Sequence, residues 1–323
     1  MFQLFVKMRD FFRLCRFAPL VIGVVLLIPL STGAGCDTAP APDRTVTDAL
    51  GRSVAVPDTV RRVVPLAPNL TELVGAAGGA DRLQAVTVSD TYPPSVVDAL
   101  PRVQTLPVDY EAIVQHTPDL VLATDQVNSP GDADPLAQMD VPTYFFSFDA
   151  VDDIFASIET LGMLMNTESE AQARADTLRR AFGTLRTATQ AFARPRVLVL
   201  VGDETLYAFG GPSYVHTLIE AAGGTSITDH FESAAPTLSE EFVLQEAPDV
   251  IIGLFDAEAP TDHLLQLHPT WDAVPAIQNN RVYTVNPDLV SRPGPRVVHG
   301  AYRIATLLHP NRALPAPPSL RLP

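Results

Sequence analysis

Glu111-Ala-Ile-Val-Gln-His-Thr-Pro-Asp-Leu-Val-Leu122 and Glu241-Phe-Val-Leu-Gln-Glu-Ala-Pro-Asp-Val-Ile-Ile252 decide how this chain is built. Each begins with helical spacing, breaks at Pro-Asp and runs on as an unbroken apolar stretch, the pattern of a helix feeding a buried strand. A second pair keeps the same order: Leu73-Val-Gly-Ala-Ala-Gly78-Gly79 and Leu218-Ile-Glu-Ala-Ala-Gly223-Gly224. In both, an apolar helix end is closed by glycine, which takes the left-handed C-cap conformation without a side-chain clash. The two pairs recur 130 and 145 residues apart, so the chain contains two halves of one design.

Short apolar runs alternate with helical patterns in each half. Val60 to Ala67, Leu83 to Val88, Leu120 to Ala123 and Thr143 to Phe146 read as strands of the first half. Arg196 to Val201, Val250 to Leu254 and Arg281 to Val285 read as strands of the second. Strands alternating with helices give parallel sheets covered on both faces. The expected fold class is therefore α/β: two Rossmann-like lobes, at residues 47–150 and 195–310.

Between them, residues 151–194 form a linker. Thr167-Glu-Ser-Glu170 has the capping-box pattern, and Ala171, Ala175, Leu178, Phe182, Leu185, Thr189 and Phe192 follow at helical spacing before Pro195. This predicts one helix of about 25 residues, some 37 Å long at 1.5 Å per residue. One rigid helix permits only modest closure, so a ligand cleft is expected between the lobes, where open α/β sheets present their loops.

The first 36 residues set the compartment. Lys7, Arg9, Arg13 and Arg16 precede the apolar run Phe17–Leu30, and small residues lead to Cys36. That is the layout of a secretory signal, here 1–35, with an apolar run too short to span a bilayer. Cleavage before Cys36 leaves a single cysteine and therefore no internal disulfide. Lipidation of Cys36 explains the thiol, and ordinary cleavage nearby would leave it free. Residues 36–46, proline-rich and polar, suit a tether, and the proline-rich 311–323 reads as a disordered tail. Removing a signal with four basic residues and one acid takes the formal charge from −15 to −18. A surface this acidic excludes nucleic acid and anionic lipid as partners.

The chain resembles the class III solute-binding proteins of ABC importers, which carry vitamin B12, ferric siderophores or haem. The residues that carry the likeness are Asp48-Ala-Leu-Gly-Arg-Ser-Val-Ala-Val-Pro57, Arg61-Arg-Val-Val-Pro-Leu-Ala-Pro-Asn-Leu-Thr-Glu72 and Arg292-Pro-Gly-Pro-Arg296 with Leu308-His-Pro310. Within the family, Ser89-Asp-Thr-Tyr-Pro-Pro94 is similar to the Tyr-Pro-Pro loop of periplasmic cobalamin binders. The resemblance implies ligand contacts at Pro68, Tyr92, Tyr207, Asp288 and Arg292. Flat rings pack on aromatic faces, and an Asp with an Arg can hold amide or phosphate groups at a ligand's edge. Where those binders place tryptophans, this chain has Leu106, Asp125 and Ala235, and its one tryptophan, Trp271, lies elsewhere. The ligand is thus expected to be cobalamin or a related corrinoid, with a ferric siderophore or haem as the alternative.

The resemblance also implies docking to an ABC permease dimer and its ATPase subunits through one glutamate per lobe, Glu111 and Glu241. The simple alternative is an acid in a helix's first turn, favoured there by the helix dipole. Of Arg292 and Arg296, the first is assigned to ligand and the second to structure, while Asn69 with Glu72 reads as an N-cap pair. Asp288, after Asn286-Pro287, also suits a turn. No catalytic residues, metal site or cofactor are expected. Seven histidines are scattered, with only His263 and His268 close together, on a surface helix or loop. No nucleophile elbow, His-Glu-x-x-His or phosphate-binding loop is present. The expected product is a monomeric, extracytoplasmic lipoprotein that touches membrane only through its lipid.

Overall fold

The computed structural model describes residues 44–319. The expected signal 1–35, the lipidation site Cys36 and residues 37–43 of the expected tether lie outside the described residues. Among those described, no helix is long and apolar enough to cross a membrane.

Eleven strands are assigned within the described residues. β1 (Arg44–Thr47) and β2 (Ser53–Val56) form an antiparallel hairpin. Asp48 shapes its turn by accepting from the amides of Leu50 and Arg52 at 3.0 and 2.9 Å. The strand Arg44–Thr47 thus starts inside the stretch expected to be tether. In the first lobe β3 (Val63–Pro65), β6 (Leu120–Thr124) and β7 (Thr143–Phe146) form a parallel sheet in the order β3-β6-β7. β4 (Val86–Thr87) and β5 (Arg102–Val103) pair in parallel beside it, linked to β3 by a bridge from Leu83 to Val63. In the second lobe β8 (Arg196–Leu200), β9 (Thr225–Ser226), β10 (Val250–Gly253) and β11 (Val282–Thr284) form one parallel sheet, ordered β11-β10-β8-β9.

The repeat has a physical basis. Asp119 and Asp249 each stand one residue before a central strand and clamp it to the start of its neighbour. Asp119 accepts from the amides of Arg61 and Arg62 at 2.9 and 3.0 Å, and Asp249 accepts from the amide of Arg196 at 2.8 Å. Each aspartate amide also donates to an arginine carbonyl, Arg62 at 2.8 Å and Arg196 at 2.9 Å. The proline before each strand removes a donor where the helix must stop.

Side chains alternate between the two faces of each sheet. Val63, Leu120 and Leu122 enter one core with Val197, Val199, Val250 and Ile252. Val64, Val121 and Ala123 enter a second core under the first lobe. Leu198, Leu200 and Ile251 enter a third under the second lobe, with Trp271 at its centre. Only the first core is shared by both lobes, and the bridging helix carries it across.

That helix is Glu168–Thr189, 22 residues or about 33 Å. Ala171, Ala175, Leu178, Phe182, Leu185 and Thr189 are its buried stripe, as the spacing predicts. Burying Leu178 and Phe182 contributes ~1.5–3 kcal/mol each. It stops before Phe192, which instead packs edge-on against His309 at 4.9 Å. Before it, within the expected linker, runs a 15-residue helix, Val151–Met165, and the two are joined through Asn166 in the left-handed conformation.

The capping box expected at Thr167 does not form: its hydroxyl makes no cap bond and donates to the carbonyl of Ala77 at 2.7 Å. At the far end, the Thr189 hydroxyl donates to the carbonyl of Ala221 at 2.8 Å. Both carbonyls belong to the repeated glycine turns. Gly78 and Gly223 each have φ of +82°, and the following amides, Gly79 and Gly224, close onto Val74 and Ile219 at 2.9 Å. A Cβ at Gly78 would meet Glu170, and one at Gly223 would meet Thr189 and His309. Each glycine turn thus fits closely against one end of the bridging helix. Of the expected tail, residues 311–319 have no regular structure, yet Leu314 packs on the shared core.

Replacing Thr189 by Val keeps its shape but leaves the buried Ala221 carbonyl without this donor. The expected loss is ~1–3 kcal/mol in urea unfolding, with a smaller loss for Thr167→Val, which is less buried. Unchanged midpoints for both would show that the pins do not hold the helix.

Candidate ligand site

Parallel strands of one sheet end on one edge, and the expected site residues lie beyond those ends. Pro68 opens the helix Pro68–Ala76 directly after β3. Tyr92 lies beyond β4, Tyr207 beyond β8, and Asp288 with Arg292 beyond β11. Tyr207 is tied into the second lobe by an antiparallel bridge to Thr237 and is half exposed.

Asp288 and Arg292 meet the Ser89–Tyr92 loop where the two lobes touch. Arg292 Nε pairs with Asp288 Oδ1 at 3.0 Å, and its Nη1 donates to Thr91 Oγ1 at 3.3 Å. Thr91 in turn donates to Asp288 Oδ2 at 3.4 Å. Asn286, through a 2.9 Å bond from the Asp288 amide, caps the turn Pro287–Leu289, leaving the Asp288 carboxylate for its arginines. Asn69 Nδ2 donates to the carbonyl of Pro293 at 3.4 Å.

The expected N-cap pair is corrected here. Ala67 occupies the cap position with no side-chain bond, and Glu72 reaches across the lobe boundary. Arg296 donates to it through Nε at 2.8 Å and Nη2 at 2.6 Å, and both side chains are buried. Burial pushes the Glu72 carboxyl up, and the Arg296 hydrogen bonds and charge pull against it without restoring the ordinary value. Burial also lifts the carboxyl of Asp90, against the pull of hydrogen bonds from Thr87. The partner of Glu72 lies 224 residues away, beyond the reach of any local pattern. Arg296 gives its side-chain hydrogen bonds to the carboxylates of Glu72 and Asp288.

Exposed apolar side chains complete the picture. Among the described residues seven large ones are 41–61% exposed. Five of them, Val88, Leu106, Val127, Val201 and Tyr207, lie just past the carboxyl ends of β4, β5, β6, β8 and β8 again. Sequence reasoning named Leu106 and Tyr207 and missed the three valines. An apolar residue directly after a strand, where a polar loop is ordinary, was the available signal. Asp125 and Ala235 are also exposed, while Trp271 is wholly buried.

Glu111 and Glu241 are both exposed, each in the first turn of a capped helix. Asp109 accepts from the amide of Ala112 at 3.0 Å, and Ser239 from that of Phe242 at 3.2 Å. Of the histidine pair, His263 lies part-exposed on the helix Pro260–Leu267, and His268 departs from expectation. His263 bonds Asp203 at 2.6 Å and draws that carboxyl below its ordinary value. His268 is buried, between Glu240 Oε1 at 3.0 Å and the Asp203 carbonyl at 2.7 Å, and stacks on Trp271. Among the described residues no three potential metal ligands come together.

Comparison with known proteins agrees with this architecture. A vitamin B12-binding protein of Vibrio parahaemolyticus is 25% identical over 251 residues, covering 76% of this chain and 89% of that one. An uncharacterised ABC transporter substrate-binding lipoprotein of Bacillus subtilis is 25% identical over 281 residues, covering 83% and 86%. The crystal structure of the periplasmic vitamin B12 binding protein of Vibrio cholerae superposes with a TM-score of 0.68 at 28% identity, covering 77% and 96%. The periplasmic binding protein family matches residues 63–289. Two parallel-sheet lobes on one bridging helix, matched over most of their length, place this chain in the periplasmic binding protein family.

Proposed function

We propose that this chain is the extracytoplasmic solute-binding lipoprotein of an ABC importer, and that it captures cobalamin or a related corrinoid for a permease without acting on it chemically. The observation that carries the reading is the apolar rim, Val88, Leu106, Val127, Val201 and Tyr207, set at strand carboxyl ends in both lobes. Exposed apolar side chains repeated past strand carboxyl ends, where open α/β sheets take their ligands, suit a binding site. A corrin offers broad ring faces to such a rim and amide groups to Asp288, Arg292 and Thr91. Tyr92 and Pro68 complete the set. The vitamin B12 binders among the relatives support the same ligand class. Arg292 and the exposed Leu106, Asp125 and Ala235, where a ring-lined cleft would place tryptophan, favour a ferric siderophore or haem as the second reading.

Membrane attachment through a lipid on Cys36 follows from the signal layout, and a relative named as a lipoprotein supports it. Glu111 and Glu241 match in sequence, capping and exposure, so they suit a two-fold permease dimer.

Isothermal titration of the purified protein with cyanocobalamin is expected to show saturable one-to-one binding, weakened about tenfold or more by Tyr92→Leu or Arg292→Ala. No heat with cyanocobalamin, and binding of haem or a ferric siderophore instead, would reject the corrinoid. Glu111→Arg or Glu241→Arg is expected to weaken binding to the reconstituted permease at least tenfold with ligand affinity unchanged. A parallel loss of ligand affinity would remove these residues from the docking role.

A further inference from the structure

Arg296 is almost wholly buried, yet it faces the aromatic residue assigned to the ligand. Its guanidinium carbon stands 4.3 Å from the centroid of the Tyr92 ring. The two donors given to Glu72 fix the plane of that guanidinium as well as its place. Glu72 is itself held within the helix Pro68–Ala76 and is 1% exposed. The backbone leading to Tyr92 is fastened separately. Asp90 accepts from the amide of Thr87 at 2.7 Å, and Arg102 donates to the Asp90 carbonyl at 2.7 Å. With the loop anchored, the guanidinium lies against the face of the Tyr92 ring and is placed to orient it.

We infer that Glu72 and Arg296 are positioning residues for ligand binding: they hold the Tyr92 ring in its binding orientation, and they do so from both sides of the lobe boundary. The inference rests on the reading of Tyr92 as a ligand contact. Neither Glu72 nor Arg296 touches ligand, because both are buried. Their contribution is to order the ring before the ligand arrives. Ordering one side chain on binding costs a factor of about two to ten in affinity. Tyr92 and Glu72 belong to the first lobe and Arg296 to the second, so this contact on the ring depends on the seating of the lobes. Any motion that separates the lobes at this point loosens the ligand's aromatic contact in the same step.

The test is a double-mutant cycle with a ligand-independent readout. Arg296→Lys keeps the positive charge but loses the planar fork. It is expected to raise the Kd for cyanocobalamin about three- to tenfold in the parent protein, and less than twofold in the Tyr92→Leu background. Equal weakening in both backgrounds would overturn the inference, since Arg296 would then act on general structure. In protein labelled with 3-fluorotyrosine, the fluorine line that vanishes in Tyr92→Phe is expected to shift in Arg296→Lys without ligand while the lines of the remaining tyrosines stay in place. An unmoved Tyr92 line would likewise overturn it. Should Arg296→Lys fold poorly, Glu72→Gln is used, with the same two expectations. If the parent protein binds no cyanocobalamin the corrinoid reading fails, and the fluorine line still decides whether the pair positions Tyr92.

Discussion

A hydroxyl at each end of one helix does much to set what this molecule can do. Thr167 and Thr189 donate to carbonyls of matching glycine turns, Ala77 in the first lobe and Ala221 in the second. Between them the helix buries a continuous stripe that joins the cores of the two lobes. An α-helix bends appreciably only where its hydrogen-bond ladder is broken, and this one carries no proline. Closure must therefore come from small rotations about its ends. Small rotations disturb the seating of the lobes little, which lowers the cost of ordering the site when ligand binds.

The polar contacts between lobes follow from that constraint. Once the helix fixes their separation, the helix Pro68–Ala76 and the Ser89–Tyr92 loop face the segment Asp288–Arg296. A buried arginine-carboxylate pair contributes little net stability compared with apolar packing, but leaving one partner uncompensated costs several kcal/mol. Glu72 and Arg296 thus favour one seating of the lobes. Around that pair lie the partly exposed Asp288 and Arg292 and the exposed Thr91, the groups proposed to meet the ligand.

Much of the architecture was legible in the residues, because the signals were local. The Pro-Asp repeat, the glycine turns and the three-four spacing from Ala171 to Thr189 each act over a few residues and appear in the structure as read. The strands β5 and β9, each two residues long, carry no period to detect. The hairpin strand Arg44–Thr47 was hidden in a proline-rich stretch. The capping box at Thr167 was a sound local pattern overridden by a tertiary acceptor, the Ala77 carbonyl. Glu72 failed for the same reason, since its partner is supplied only by the fold. His268, read as a surface residue, is drawn inward by Glu240, the Asp203 carbonyl and Trp271. The candidate site was legible as residue types at strand ends, while the apolar rim needed exposure to be seen.

The central claim is that ligand enters between the lobes at the strand carboxyl ends and leaves the rest of the scaffold unmoved. Hydrogen–deuterium exchange of the whole protein, with and without saturating cyanocobalamin, tests it directly. Protection is expected in the segments 88–92, 104–108, 125–128, 201–208 and 286–294, with the bridging helix unchanged. Protection centred on the opposite strand ends or within the bridging helix, or none anywhere, would contradict it.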